Sequence, residues 1–214
     1  MVAATAGMIL ALAASPAAHR LDEYLQAARV SLERTRVALE IDLTPGASVA
    51  DGIIGVIDRD ADSRITPLEA ESYGRAVLAD VRLELDGHPL VLTLDRVEVP
   101  TIEEMRHGMG TLQLRARADV GASMSIRRQL HFQNNHQAAS SVYLVNALVP
   151  SDNGISVVNQ SRDAKQRDVR IDYSVTPQWP RYLYWPLLGG LALFFVLRCS
   201  RVTTNNQPQS INRS

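Results

Sequence analysis

Apolar and polar residues alternate with a period of two over much of the chain, which is the pattern of half-buried β-strands. Residues 28–43 alternate on both sides of a polar centre at Arg34–Thr35. This stretch therefore predicts a hairpin. A second hairpin is predicted between the runs Val81–Leu85 and Leu90–Leu94, because the Asp86–Gly87 pair that separates them is a strong turn signal.

Further strand-like runs follow, separated by Gly, Asn and Pro. They are Thr111–Ala118, Ser123–Phe132, Ser141–Val149, Ile155–Asn159 and Val169–Val175. Short strands at this spacing favour an antiparallel β-sandwich-like domain. Between the hairpins, helices are predicted from Ser48, as the N-cap, to Ile57 and from about Pro67 to Asp80. The expected fold is mainly β, spanning 19–176, with a helix–loop–helix inserted at 48–80.

The N-terminal residues 1–18 have the features of a secretory signal. A short uncharged run from Ala6 to Ala14 precedes small residues, so cleavage is expected after Ala17 or Ala18. No Lys or Arg precedes the apolar run. A buried N-terminal helix or an uncleaved anchor is therefore the alternative.

A second apolar segment, Tyr182–Leu197, has sixteen residues without a charge. Aromatic residues crowd its beginning, and Arg198 and Arg201 follow its end, as expected for a membrane span with a cytoplasmic C-terminus. The sequence therefore predicts one C-terminal transmembrane helix at 180–198 and a cytoplasmic tail at 199–214. The β-rich domain would lie on the extracytoplasmic, periplasmic side, and the membrane would be the first partner.

The turn between the two predicted helices matches the twelve-residue EF-hand calcium loop. Carboxylates occupy positions one, three, five and twelve, position seven would give a backbone oxygen, and position nine would act through water. The candidate ligands, in loop order, are Asp58, Asp60, Asp62, Arg64, Thr66 and Glu69. Ca²⁺ is the expected ion, because it takes six to eight oxygen ligands.

Two features of this loop favour an alternative, a solvated acidic turn. Ser63 occupies position six, where calcium loops normally have glycine. Thr66 and Glu69, with Pro67 between them, also form the sequence of a helix-capping box, which would explain Glu69 without a metal. The capping box does not explain the three aspartates. A single loop of this kind would staple the fold rather than sense calcium, because sensor loops usually work in pairs.

Four stretches of the chain resemble the exported N-terminal region of some bacterial HupE/UreJ-type membrane proteins. They are AHRLDEYLQAARVSLERTRVALEIDLTPG from Ala18, IDRDADSRITPLEAE from Ile57, LELDGHPL from Leu83 and SVYLVNALVP from Ser141. The resemblance implies an extracytoplasmic compartment, anchoring and the EF-hand-like loop. In that family a multi-helix portion associated with nickel or cobalt follows, whereas here a single span is predicted, so transport is not implied.

Other chemistry has little support in the sequence. The net charge of −1 gives no basic surplus for nucleic acid. The chain has no nucleophile elbow, P-loop or dinucleotide fingerprint, so no enzyme is expected. His131 and His136 would lie on opposite faces of a regular strand, although a turn at Asn134–Asn135 could bring them together. His19, as a new N-terminus, could chelate copper(II) with its amine.

The sequence thus predicts a membrane-anchored, calcium-binding interaction or assembly module without catalytic activity. Its protein partner on the extracytoplasmic side or in the membrane is unidentified. The alternative is an accessory metal-handling protein for a nickel, cobalt or copper transport system.

Overall fold

The computed structural model describes residues 22–121 and 126–176. In chain order, its elements are β1 (Tyr24–Leu32), β2 (Arg36–Pro45), α1 (Ala47–Ile57), α2 (Pro67–Ala79), β3 (Val81–Leu85), β4 (His88–Pro89), β5 (Thr93–Glu98), α3 (Ile102–Arg106), β6 (Leu112–Asp119), β7 (Arg127–Asn134), β8 (Ser141–Ala147), β9 (Ile155–Arg162) and β10 (Asp168–Val175). The predicted signal at 1–18, the transmembrane helix at 180–198 and the tail lie outside the described residues. Among the helices within those ranges, none is long and apolar enough to cross a membrane.

The strands form two five-stranded sheets, so the prediction of a mainly β domain is confirmed. The first sheet has the order β5-β6-β2-β1-β8, and the second has the order β4-β3-β7-β10-β9. The predicted first hairpin is present, and its register pairs Ala28 with Ile41 and Val30 with Leu39. These four apolar residues are buried. The period-two pattern therefore identified the inward face of both strands.

One continuous cluster of buried side chains contains residues from both sheets. Ile41 and Leu114 belong to the first sheet, Phe132 and Ile171 belong to the second, and each is at most 1% exposed. Burying a side chain of this size contributes roughly 1.5–3 kcal/mol relative to leaving it in water. The two alternating sheets thus share a single core.

One strand pairing differs in direction from the predicted antiparallel arrangement, and one predicted hairpin is shorter than expected. β1 pairs with β8 in parallel, with Tyr24 opposite Ser141 and Val30 opposite Ala147. β8 follows β7 of the other sheet, so its direction is set by a crossing between sheets and not by a hairpin turn. The Asp86–Gly87 turn is present, but its second arm is only the two residues of β4, and the chain then crosses to the first sheet as β5.

The inserted helix–loop–helix is confirmed, with one error at its start. Gly46, in an extended conformation, occupies the N-cap of α1, and no side chain caps the helix. The prediction of Ser48 as the N-cap was wrong, because Ser48 lies within the first turn and its Oγ donates to Asp22 Oδ1 at 2.8 Å. The short helix α3 was not predicted. It begins with a capping box between Thr101 and Glu104.

Candidate metal centre

The acidic loop begins where α1 leaves the core. Ile57, the last residue of α1, is fully buried, and the backbone N–H of Asp58 donates to the Ile54 carbonyl at 2.8 Å. Asp58 is therefore held at the edge of the core and is only 7% exposed. A carboxylate held this close to the core needs polar partners, because burial removes water from its charge.

Backbone N–H groups of the loop itself supply those partners. Asp58 Oδ1 accepts from the N–H of Asp62 at 3.2 Å, and Asp58 Oδ2 accepts from the N–H of Ser63 at 3.0 Å. The N–H of Asp62 also contacts Asp60 Oδ1 at 3.3 Å. The loop therefore folds around its first aspartate, and its backbone donors face inward toward the carboxylates.

Glu69 closes the loop from the other side. Its Oε2 accepts from the backbone N–H of Thr66 at 2.9 Å and from the Thr66 hydroxyl at 2.8 Å, while the N–H of Glu69 donates to Thr66 Oγ1 at 3.3 Å. This is the capping box of α2, with Pro67 in its first turn. Glu69 Oε1 also accepts from the N–H of Arg59 at 2.8 Å. Both ends of the loop are therefore fastened to this one carboxylate.

Three of the six candidate ligands come together. One carboxylate oxygen from each of Asp58, Asp60 and Glu69 lies within 4.8 Å of the other two. Two oxygens bound to one calcium ion at about 2.4 Å each can be at most about 4.8 Å apart. The group therefore has the spacing of ligands around a single ion, with its members at loop positions one, three and twelve.

The other three candidates lie in the same loop but outside this group. Asp62 Oδ1 accepts from the backbone N–H of Arg64 at 2.7 Å, and the Thr66 hydroxyl donates to Glu69. Arg64 is exposed. A carboxylate oxygen can accept a second bond, so the contact of Asp62 leaves lone pairs for other partners.

The pKa values of two loop carboxyl groups are displaced in opposite directions. Hydrogen bonds from the Thr66 backbone and side chain hold the pKa of Glu69 below its usual value. A hydrogen bond from the Asp62 backbone lowers the pKa of Asp60, but lost hydration and the charges of Asp62 and Glu69 outweigh it, and the net change is upward. The neighbours of Asp60 therefore disfavour its charged form, whereas those of Glu69 favour its charged form.

Two residues of the loop have a left-handed backbone conformation. Ala61 has φ of 57° and Ser63 has φ of 64°. Ser63 stands at position six, where the sharp turn of a calcium loop normally requires glycine. The loop therefore has a left-handed backbone at position six without a glycine, at a cost of roughly 1–2 kcal/mol for an L-residue with positive φ.

A buried polar network lies one helical turn beyond Glu69, and the sequence did not predict it. The Tyr73 hydroxyl on α2 is 2.8 Å from the Tyr24 hydroxyl and 3.1 Å from His136 Nε2. His136 Nδ1 is 2.8 Å from Oδ2 of Asp80, which ends α2. His136 is 5% exposed. A chain of hydrogen bonds therefore runs from β1 through α2 to the surface at Asp80.

The same network joins the two sheets. The His136 carbonyl accepts from Gln26 Nε2 at 2.9 Å and from the Tyr143 hydroxyl at 2.6 Å. Gln26 Oε1 accepts in turn from Asn134 Nδ2 at 2.8 Å. Burial raises the pKa of Tyr73 to about 12 and raises that of Tyr24 well above its usual value, so both hydroxyls stay protonated. The polar groups of this network bind one another and so stabilise the fold. Their arrangement is not that of ligands around a metal ion.

The two histidines at 131 and 136 are not brought together. His131 Nε2 lies 2.8 Å from Asp168 Oδ2, and its Nδ1 lies 3.4 Å from Glu84 Oε2. His136 belongs to the buried network. Each imidazole therefore has its own partners, and His19 lies outside the described residues.

No protein-family model matches this chain, and no curated protein matches it either. The resemblance to HupE/UreJ-type proteins, carried by the stretches beginning at Ala18, Ile57, Leu83 and Ser141, therefore stays a prediction.

Proposed function

We propose that this protein binds one calcium ion at Asp58–Glu69 and serves as a membrane-anchored, extracytoplasmic interaction or assembly module without catalytic activity. The observation that carries the calcium proposal is the group formed by Asp58, Asp60 and Glu69, whose oxygens lie within 4.8 Å of one another. Their order in the loop agrees with the EF-hand pattern. The group contains oxygen ligands alone, which favours calcium over nickel, cobalt or copper.

Bound calcium would connect the end of α1 to the beginning of α2 through its carboxylate ligands. The ion would neutralise the repulsion that raises the pKa of Asp60, while the capping hydrogen bonds of Glu69 use only part of its lone pairs. The capping box and the ion are therefore compatible, and they are not competing explanations of Glu69. Extracytoplasmic calcium modules bind with Kd of roughly 10⁻⁴–10⁻³ M.

Thermal unfolding with and without calcium tests the proposal. With Kd of about 10⁻⁴ M and about 2 mM free calcium, mass action gives roughly 1.8 kcal/mol of stabilisation. For a domain of this size, that raises Tm by roughly 4–7 °C. Titration calorimetry should show binding of Ca²⁺ and no comparable binding of Ni²⁺. Equal melting curves at matched ionic strength would remove the proposal.

The variant Glu69→Gln separates the metal site from the helix cap, because glutamine keeps the capping geometry but loses the charge. The Glu69→Gln variant should lose most of the rise in Tm that calcium causes. The chain offers a matched control in Glu104→Gln, since Thr101 and Glu104 form the same capping box with hydrogen bonds of 2.8–3.2 Å. That variant should leave the calcium shift unchanged. If the two variants respond alike, Glu69 acts only as a cap.

The anchored topology has its own test, which does not depend on calcium. Intact-mass analysis of protein extracted from membranes should show the loss of residues 1–17 or 1–18. Cys199 should resist a membrane-impermeant thiol reagent in intact cells and react after lysis, because Arg198 and Arg201 hold this end inside. Labelling before lysis would reverse the proposed orientation.

A further inference from the structure

The end of β10 is held firmly at Thr176, the last residue that the structure describes. The Thr176 N–H donates to the Gly154 carbonyl at 2.7 Å, and Arg34 Nη1 donates to the Thr176 carbonyl at 2.7 Å. Arg34 also binds both carboxylate oxygens of Asp152, at 2.5 and 3.2 Å. The end of β10 is therefore joined to the β1–β2 turn and to the β8–β9 loop, and these three segments mark one end of the sandwich.

Exposed apolar side chains surround this end, and we call them the apolar rim. The rim consists of Ile126, Leu148, Val149 and Val157. Val149 is 93% exposed, and it lines an open groove together with Leu148 and Val157. The Ile126 carbonyl accepts from the Val175 N–H at 2.8 Å, and Val157 pairs with Tyr173. A cluster of exposed apolar side chains marks a surface for contact with a protein or a membrane.

The charges at the same end of the sandwich cancel. Three arginines and three carboxylates form ion pairs with N···O distances of 2.5, 2.7 and 3.0 Å. The pairs are Arg34–Asp152, Arg36–Glu33 and Arg128–Asp86. Arg127 and Asp119 add one charge of each sign. Attraction to anionic lipid requires a surplus of basic residues, so a contact made by this surface depends on its apolar side chains.

The length of the connecting chain selects the membrane as the partner of the apolar rim. The predicted transmembrane helix begins at residue 180, four positions after Thr176. Four fully extended residues span at most about 14 Å, so Thr176 of an anchored protein can lie no more than about 14 Å from the lipid surface. The eight residues of β10 place the opposite end of the sandwich roughly 26 Å further along the strand. The anchor therefore brings the end with the apolar rim to the lipid.

We propose that the apolar rim docks on the lipid surface, with Val149 in the interfacial region between headgroups and acyl chains. This inference rests on the anchoring proposed above, and it adds the face of the domain that meets the membrane. The interfacial region is roughly 5–7 Å deep on each side of the hydrocarbon core, which accommodates the apolar side chains of a loop.

Docking by the apolar rim would leave the acidic loop uncovered. The helices that hold the loop join the sheets at the opposite end of the sandwich. There α1 follows Pro45, which pairs with Tyr24, and α2 precedes Val81, which pairs with Asn134. The contact with lipid should therefore be the same with calcium and with chelator.

Spin labelling of the full chain in phosphatidylcholine vesicles tests the contact. A nitroxide is attached at Val149→Cys in a Cys199→Ser background, and its collisions with oxygen, which concentrates in lipid, are compared with its collisions with water-soluble chromium oxalate. The control is Met109→Cys, because Met109 is 72% exposed and follows Gly108, which lies against Ala47 at the opposite end. The ratio of oxygen to oxalate collisions should be at least about threefold higher at Val149 than at Met109.

A charge in the apolar rim tests whether apolar contact holds the domain on the lipid. With the nitroxide at Ile126→Cys, Val149→Asp should lower the collision ratio at least about twofold, because a carboxylate is unfavourable among lipids. Met109→Asp should leave the ratio at Ile126 unchanged. Melting curves should show that both variants are folded. A ratio at Ile126 that Val149→Asp does not change would overturn the inference.

Extraction of the vesicles at alkaline pH distinguishes failure of docking from failure of anchoring. Release of the protein from the vesicles would overturn the anchoring and the docking together. Retained protein whose Val149 and Met109 labels are equally accessible to chromium oxalate would overturn the docking alone. A Val149 label shielded from both reagents would also overturn it, because protein and not lipid would then cover the apolar rim.

Discussion

The acidic loop and the buried polar network contact the same helix, α2, but are built in opposite ways. In the loop, each carboxylate binds donors no more than ten residues away, as Glu69 does with Arg59. In the network, Tyr24 meets Tyr73 across 49 residues, and Asn134 meets Gln26 across 108. The contacts of the loop are local and mostly lie at the surface, whereas those of the network are long-range and mostly buried. We therefore expect that substitutions in the acidic loop leave the fold intact, whereas substitutions in the buried network destabilise it.

The largest expected effect comes from removing the centre of the network. His136→Ala would remove the buried imidazole that links the Tyr73 hydroxyl to Asp80 and would leave Tyr73 with Tyr24 as its remaining partner, so the free energy of unfolding should fall by about 3 kcal/mol. That is a fall in Tm of roughly 6–12 °C, measured in chelator. The control is His131→Ala, because His131 lies on β7 between the buried residues Leu130 and Phe132 and takes no part in the network. If both variants lost the same free energy of unfolding, the buried network would contribute no more to stability than the contacts of His131.

The second effect is a loss of stability at alkaline pH. The folded-state pKa of Tyr73 is raised by burial to about 12, so its protonated form is favoured in the folded protein. This contribution is fully present below about pH 10, the unfolded pKa, and is lost as pH rises to about 12. The loss should be roughly 2 kcal/mol, seen as a falling Tm.

Tyr73→Phe should reduce this alkaline loss of stability by about 2 kcal/mol, since it removes one titrating hydroxyl, while Tyr24, whose pKa burial also raises, still contributes. Glu69→Gln should leave the same pH dependence intact. A Tyr73→Phe protein that lost stability as steeply as the wild type would assign the effect to other groups.

A third experiment asks whether the loop and the network are independent. The calcium increment of roughly 1.8 kcal/mol should be the same in wild type and in His136→Ala, because the loop carboxylates share no partner with the network. Melting curves of both proteins with calcium and with chelator give the four values required. A difference between the increments larger than about 0.5 kcal/mol would mean that α2 transmits calcium binding to the core.

The smallest effect concerns the missing glycine of the loop. Ser63 has φ of 64°, a backbone conformation that strains an L-residue. Ser63→Gly removes this strain, so it should stabilise the protein by about 0.5 kcal/mol after the entropic cost of glycine in the unfolded chain. If the loop has the same backbone conformation with and without calcium, Kd should stay nearly unchanged.

Gln166→Gly, at φ of 53° outside the loop, is the control for this small stabilisation. Calorimetry and melting curves measure both quantities. A marked gain in affinity for Ser63→Gly alone would show that the loop changes its backbone conformation on binding.

The elements that the sequence predicted are those whose signal is local. The alternation at 28–43, the capping residues Thr66 and Glu69 and the order of acidic residues can all be read within a few positions, and the structure has the hairpin, the α2 cap and the close group of three carboxylates. Ser48 was assigned as a cap by residue type alone, although Gly46 has the extended backbone that the position needs.

The features that the sequence did not predict depend on distant residues. The polarity of Gln26 and His136 says nothing about which groups they meet, because their partners are set by how the two sheets cross. The parallel pairing of β1 with β8 has the same origin. An alternating strand fits either direction of a neighbour, since its inward face is the same in both.

The parallel pairing of β1 and β8 also sets the order in which the chain can fold. β1 can close its hairpin with β2 as soon as both have emerged, but its other neighbour begins at Ser141, 117 residues after Tyr24 (141 − 24). Until β8 arrives, β1 is an edge strand of the first sheet. Such long-range pairing slows folding to milliseconds or longer. A chain that completes its first sheet so late leaves this side of β1 unpaired while residues up to Ser141 are being synthesised.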